Sequence, residues 1–507
     1  MIKMGLKEKE QKFFDYLKKM ESYEEALNLM YWDLRTGAPK NGLERRAETI
    51  GILSEEWFQM SVSDTMKEFL DELTEKHVYD NLSSVTKKAL QECKEEYEKN
   101  IKIPKEEYKE YVILQSKSES VWEEAKANAD FNQFAPYLEK LIEFNKKFIS
   151  YWGYKGHKYN TLLHLYEPGI TVETLDKVFA ELKKHIVPLV QQIVESSKKI
   201  DVSFLHKPFP KEKQRKFSEY ILKEIGYNFD AGRLDETVHP FEIRMNRGDV
   251  RITTKYDETD FRTAVFGTIH EAGHAIYEQN INEELEGTPL ADGASMGIHE
   301  SQSLFYENLI GRNYHFWKRY YNQLKTYAPN QFTGVSLNDF YRAINEVKPS
   351  LIRIEADELT YCLHIIVRYE IEKLLFEGNL DVSDLPKVWN DKYSEYLGIA
   401  PDHYGNGVLQ DVHWAGGSFG YFPSYALGYM YATQLMQKME QDLSNVEELI
   451  ENGEFQQIQS WLTKHVHLYG KMKKPLEILK DATGESLNPA YFIQYLEKKY
   501  KDIYSLD

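Results

Sequence analysis

Apolar side chains recur at three- and four-residue spacing over most of the chain. Stretches 5–35, 63–78, 84–101, 105–130 and 133–152 combine that period with Glu, Lys, Leu, Tyr and Ala, so amphipathic helices are predicted there. The same period returns over 171–198, 211–225, 336–347, 354–377, 384–397, 425–442, 454–468 and 488–500. Breaks fall at turn formers such as Gly37-Ala38-Pro39-Lys40, Ile103-Pro104 and Pro168-Gly169. Two segments depart from the helical period. Residues 237–256 hold two alternating, β-branched runs, around 241–245 and 249–256, with Asn246-Arg247-Gly248 between them, which predicts a short hairpin. Residues 399–424 are rich in glycine and poor in helix formers, and a loop of that length in a compact domain is usually functional. No repeat period and no Ser/Gly-rich linker appears. The pattern predicts an all-α fold, one large helical domain over 1–507 in one or two lobes, with one short β-hairpin.

Composition narrows the function classes. Of 507 residues, 42% are hydrophobic and 28% charged, enough apolar side chain for a sizeable core. Lys and Arg number 63 against 81 Asp and Glu, a net charge of −18, which disfavours binding to nucleic-acid phosphates. No run of 18 apolar residues occurs and the opening MIKMGLKEKEQKFF is charged, so neither a membrane span nor a secretion signal is expected. Two cysteines, Cys93 and Cys362, exclude a disulfide framework and suit a cytoplasmic protein.

The chemistry concentrates at His270-Glu271-Ala272-Gly273-His274, inside a predicted helix over 260–280 whose apolar stripe is Val265, Ile269, Ala272 and Ile276. Histidines four residues apart lie one turn apart on one helix face and reach a single ion, while Glu271 points to one side, where it can hold a water. A catalytic zinc needs a third protein ligand and an open fourth position. The next donors, His299 and Glu300, lie on a second predicted helix over 295–310, after the loop EGTPLADG. Successive helical residues point about 100° apart, so only one of the two serves. Glu300 is favoured because two histidines and one carboxylate form a common catalytic-zinc set.

The chain resembles the thermostable carboxypeptidase (carboxypeptidase Taq) family of zinc metallopeptidases. The resemblance spans nearly the whole chain and rests on six motifs in order: His239-Pro240-Phe241; Asp249-Val250-Arg251-Ile252-Thr253; His270-Glu271-Ala272-Gly273-His274; His299-Glu300-Ser301-Gln302; Ile352-Arg353-Ile354-Glu355-Ala356-Asp357; and Gly407-Val408-Leu409-Gln410-Asp411-Val412-His413-Trp414. It implies a helical zincin fold with a long narrow groove, like neurolysin and angiotensin-converting enzyme. It implies a homodimer that removes C-terminal amino acids from peptides one at a time with broad specificity. It also implies that His270, His274 and Glu300 bind the metal and that Glu271 is the general base. Zinc is the default ion, and Co²⁺ suits the same ligands.

A tetrahedral oxyanion needs a donor besides the metal. Candidates are His413, Tyr421 and Tyr425. The spacing of a His and a Tyr in the similar neurolysin-type enzymes favours His413 with Tyr425, and Tyr421 next. An exopeptidase must also hold the free carboxylate, which an arginine does best through paired charge-assisted bonds. Arg353 and Arg251 lead because they sit in the family motifs, with Arg244 and Arg247 behind them. Asp249, Asp357 and Asp411 are the carboxylates available to orient these arginines or the ligand histidines. His239 and Phe241 are read as groove wall. An oligoendopeptidase or dipeptidyl carboxypeptidase would share the zinc and Glu271 but differ at the carboxylate site.

Overall fold

Residues 5–506 are described by the structure, a computed structural model. The amphipathic period becomes helix at nearly every place it occurs. The first stretch forms α1 (Leu6–Thr36) and the fourth forms α2 (Lys105–Asn128). The stretch at 63–78 divides into Asp64–Leu73, capped by Ser63 accepting from the Met66 N–H, and Lys76–Tyr79. Besides the single turn Asn160–Leu163, four helices were not predicted: Leu43–Ser61, Tyr314–Tyr327, Val446–Asn452 and Pro475–Thr483. Their signals are weak for identifiable reasons. Leu43–Ser61 buries only Ile50 and Ser61. The stripe of Tyr314–Tyr327 is mostly aromatic (Phe316, Trp317, Tyr320, Tyr321), a residue class that locally favours strands.

The predicted hairpin is one part of a three-stranded sheet of β1 (Leu234–Glu236), β2 (Glu242–Asn246) and β3 (Asp249–Thr254) in the order β1-β3-β2. β2 and β3 are antiparallel with Ile243 opposite Arg251, and the turn between them is closed by the Gly248 N–H donating to Asn246 Oδ1 at 2.9 Å. β1 runs parallel to β3 and is only three residues long, too short to announce itself by alternation.

The sheet packs on α3 (Arg262–Gln279), where Thr268 donates to Thr254 Oγ1 at 2.9 Å. α3 is buried on nearly every face. α4 (Met296–Leu304) is capped by Ser295, which accepts from the Ile298 N–H, and the chain continues as a π-type helix over Phe305–Gly311. α5 (Glu358–Glu377) begins later than the period predicts, because the Asp357 carboxylate caps it by accepting from the Leu359 and Thr360 N–H groups. α6 (Pro423–Asp442) follows the glycine-rich loop.

α4 lies between α3 and α6 at two glycines. A Cβ on Gly273 would sit 2.5 Å from the Gln302 carbonyl oxygen, and one on Gly428 would sit 2.7 Å from Glu300 Cγ. Only a residue without a side chain admits backbones that close. Buried apolar side chains form one continuous core from Phe13 to Tyr504. The fold is all-α with a small sheet. Among the described residues no helix is long and apolar enough to cross a membrane.

Candidate metal centre and its cleft

α3 presents His270 and His274 one turn apart, and α4 brings Glu300 across to both. Glu300 Oε2 lies 3.8 Å from His270 Nε2 and 3.5 Å from His274 Nε2. One ligand atom from each residue falls within 4.8 Å of the others, the only such His/Cys/Asp/Glu group among the described residues. Both outward ring nitrogens are held from behind. His270 Nδ1 is 3.0 Å from Glu307 Oε2, and Arg312 donates to the other Glu307 oxygen at 3.0 Å. His274 Nδ1 is 2.6 Å from His299 Nδ1, and His299 Nε2 is 2.8 Å from Glu278 Oε1. His299, the rival ligand by sequence, therefore lies behind His274 rather than beside the ion position.

The charge balance suits a cation. Burial works against a charged His270, yet Glu300, the bond from Glu307 and the nearby Glu271 carry its pKa up to about 10. A proton there compensates the same carboxylates that a divalent ion would. Two imidazoles and one carboxylate at this spacing fit zinc or a similar borderline ion. Glu271 lines the cleft beside the trio, and burial pushes its carboxyl up to about 7, with His270 opposing.

The cleft measures about 780 Å³. Its walls include Tyr421 and Tyr425 opposite the trio, Met296 at the start of α4, and Phe241 and Glu242 on the sheet side. His413 stands behind the tyrosines. Its Nε2 is 3.3 Å from the Tyr425 hydroxyl, and its ring centroid is 5.3 Å from that of Tyr421. Tyr421 and Tyr425 line the cleft, and His413 packs against both without being one of the lining residues.

The two leading arginines differ sharply. Arg353 is buried beneath Tyr425, its guanidinium carbon 5.0 Å from that ring's centroid. Its Nε donates to Asp411 Oδ1 at 2.9 Å and its Nη1 to the Tyr361 hydroxyl at 2.8 Å. Arg368 donates to the other Asp411 oxygen at 2.7 Å. Arg251 on β3 is paired through Nε and Nη2 with Asp249 and stacked 4.5 Å over the Trp32 ring, and neither it nor Arg353 is among the residues that line the cleft. Arg244 does line the cleft but is committed to Glu286 at 2.9 Å and Glu278 at 3.5 Å. Arg247 lies 3.7 Å from Glu283 at the surface. Of the three aspartates, Asp249 and Asp411 hold arginines, whereas Asp357 caps α5 and orients neither an arginine nor a ligand histidine.

Sequence reasoning did not single out Glu307, Glu278, Arg312, Tyr361 or Arg368. A carboxylate seven residues beyond Glu300 was visible, but ordinary helical geometry does not specify that a π-type turn carries Glu307 behind His270.

Comparison with known proteins finds relatives over nearly the whole length of the chain. A family model described as carboxypeptidase Taq (M32) metallopeptidase matches residues 12–500. The chain is 63% identical over 497 residues to carboxypeptidase 1 of Bacillus subtilis, covering 98% of this chain and 99% of that protein. It is 42% identical to thermostable carboxypeptidase 1 of Thermus thermophilus, over 94% of this chain and 95% of that one. The crystal structure of the M32 carboxypeptidase from Deinococcus radiodurans R1 superposes with a TM-score of 0.95 at 34% identity, over 98% of this chain and 99% of that one. A cleft with a His-His-Glu trio, a matching fold and this degree of identity make the chain a member of the carboxypeptidase Taq (M32) family, a metallocarboxypeptidase.

Proposed function

We propose that the protein is a zinc carboxypeptidase in which His270, His274 and Glu300 hold the ion, Glu271 is the general base, His413 and Tyr425, with Tyr421 beside them, stabilise the oxyanion, and Arg353 receives the substrate carboxylate. The observation that carries this reading is one cleft lined by the trio, Glu271, Tyr421 and Tyr425, with Arg353 beneath Tyr425. A zinc ion bound there supplies Lewis acidity, which polarises the scissile carbonyl and acidifies an attacking water. Glu271 takes the proton from that water and returns it to the leaving amine. Burial with Arg353 and Arg368 nearby, against Asp411, lowers the His413 pKa to about 4, so at neutral pH its ring is uncharged and acts as a hydrogen-bond donor. Tyr425 donates its phenolic proton, and burial holds its pKa well above the ordinary tyrosine value, so it stays protonated. Removing one oxyanion donor of this kind costs about 10²–10³ in kcat.

Arg353 is preferred to Arg251 because it lies beneath Tyr425, which lines the cleft, whereas Arg251 is paired with Asp249 and stacked on Trp32, neither of which does. Asp411 and Tyr361 fix the Arg353 guanidinium and leave Nη2 for a carboxylate. Co²⁺ replaces zinc on the same ligands in this reading. We further read the enzyme as a cytoplasmic homodimer of broad specificity, with its continuous core supporting a single domain.

The test is a metal-loaded digestion of one peptide with a free and an amidated C-terminus, read by mass spectrometry. Amidation removes a charge-assisted bond worth about 1.5–3 kcal/mol, so kcat/KM falls roughly 10- to 150-fold. In Arg353→Ala that penalty shrinks. Equal cleavage of both peptides by the wild type overturns the carboxylate assignment.

A further inference from the structure

The loop 399–424 carries His413 and Tyr421, and beyond one 3₁₀ turn at Tyr404–Asn406 its backbone is held by isolated turn bonds, among them the Ser418 N–H donating to the His413 carbonyl at 2.8 Å. Its outer side is fastened to α2: Trp122 donates to the Leu409 carbonyl at 2.9 Å, Lys126 to that of Gln410 at 2.8 Å, and Gln115 to that of Gly416 at 2.7 Å. Its inner side is held in two places: Asp411 accepts from Arg353 and Arg368 before His413, and beyond His413 the loop meets Glu372 on α5, which is fully buried. Trp414 Nε1 donates to Glu372 Oε1 at 2.7 Å, and the Gly420 N–H and the Tyr159 hydroxyl donate to Oε2 at 2.7 and 2.5 Å. Among the described residues no cation forms an ion pair with it; Arg368, one turn earlier, is committed to Asp411. Isolated carboxylates are costly to bury, so the three donors define what this one does. Trp414 adjoins His413, and Gly420 adjoins Tyr421.

We propose that Glu372, which lies outside all six motifs, is a positioning residue for the peptidase reaction: through Trp414 and Gly420 it holds His413 and Tyr421 against the cleft. The inference rests on the proposed roles of those two side chains. The three donors on Glu372 distinguish a carboxylate from its amide. All three neighbours give protons, and only an ionised carboxyl accepts from all of them; a glutamine of the same size turns an N–H₂ towards one donor. Misplacing catalytic groups by about 1 Å costs about 10²-fold.

The experiment compares Glu372→Gln in the otherwise native enzyme and in a His413→Ala/Tyr421→Phe background, with zinc content measured in each. In the native background kcat falls about 10- to 100-fold, KM changes less than about threefold and zinc content is unchanged. In the double-variant background the same substitution changes kcat less than about threefold, because the groups it positions are gone. A native-background kcat within about twofold of wild type, or an equal loss in both backgrounds, overturns the proposal. The background variant keeps the two readings apart. If it alone loses nothing, the roles of His413 and Tyr421 fall; if it loses activity while Glu372→Gln does not, only the role of Glu372 falls. Should Glu372→Gln not fold, Trp414→Phe deletes one donor from the same carboxylate and is judged by the same two outcomes.

Discussion

At the metal centre, the ring nitrogens turned away from the cleft are already committed, His270 to Glu307 and His274 to His299. This sets two different costs for neighbouring residues. Glu300→Ala removes an oxygen placed 3.5 and 3.8 Å from the two Nε2 atoms and leaves an ion with two protein ligands, so zinc affinity falls by several orders of magnitude. His299→Ala removes only the support behind His274 and weakens binding about 10- to 100-fold. Titration against a competing chelator separates the two, and the reverse order would make His299 the ligand. His413 predicts a pH effect. An unfolded imidazole takes its proton near 6.5, whereas burial defers the folded one to about 4. Stability present above pH 6.5 is therefore lost as pH falls from about 6.5 to about 4, by at most about 3 kcal/mol. His413→Gln flattens this part of the Tm-against-pH curve, and an unchanged slope would contradict the assignment.

At the scale of elements, the site depends on three helices pressed together at glycines. Gly273→Ala places a methyl 2.5 Å from the Gln302 carbonyl oxygen and 2.6 Å from Ser303 Cα, both backbone atoms of α4. α4 must move away, at a cost of about 1–3 kcal/mol, and it takes Glu300 with it. Lower Tm and lower zinc occupancy are expected together, measured by calorimetry and metal analysis. A variant that lost stability yet held zinc normally would show that Glu300 does not follow α4. The existence of most helices was legible because each buries a stripe visible in its own residues. The Leu43–Ser61 helix was not, since it buries almost nothing. The late start of α5 was not either, because Asp357 decides it through its cap rather than through periodicity.

Across the whole molecule, an ion on the proposed ligands His270, His274 and Glu300 would tie α3 to α4 within one continuous core. An ion that binds the folded chain and not the unfolded one raises stability by mass action, about 2.7 kcal/mol at a hundredfold excess over Kd. Chelation should lower Tm and added zinc should restore it in a concentration-dependent way, in thermal melts followed by circular dichroism. Glu300→Ala should show a much smaller response. An identical melting curve with and without chelator would mean that the site holds no ion in the folded state.

The local pattern alone determined most helices, the hairpin and the two histidines of α3, because a period of 3.6 or 2 and an i, i+4 spacing are properties of consecutive residues. Membership of the family was equally readable from its six motifs. Only the tertiary structure decided what lies next to what across the chain. It set Glu300 beside both imidazoles and His299 behind one of them. It carried Glu307 behind His270 through a π-type turn. It put Arg353 under Tyr425 and Arg251 on Trp32, although both sit in equally good motifs. It closed Glu372 around two neighbours of the loop's candidate donors. Each of these contacts joins residues far apart in sequence or depends on irregular backbone, so helical periodicity carries no information about it.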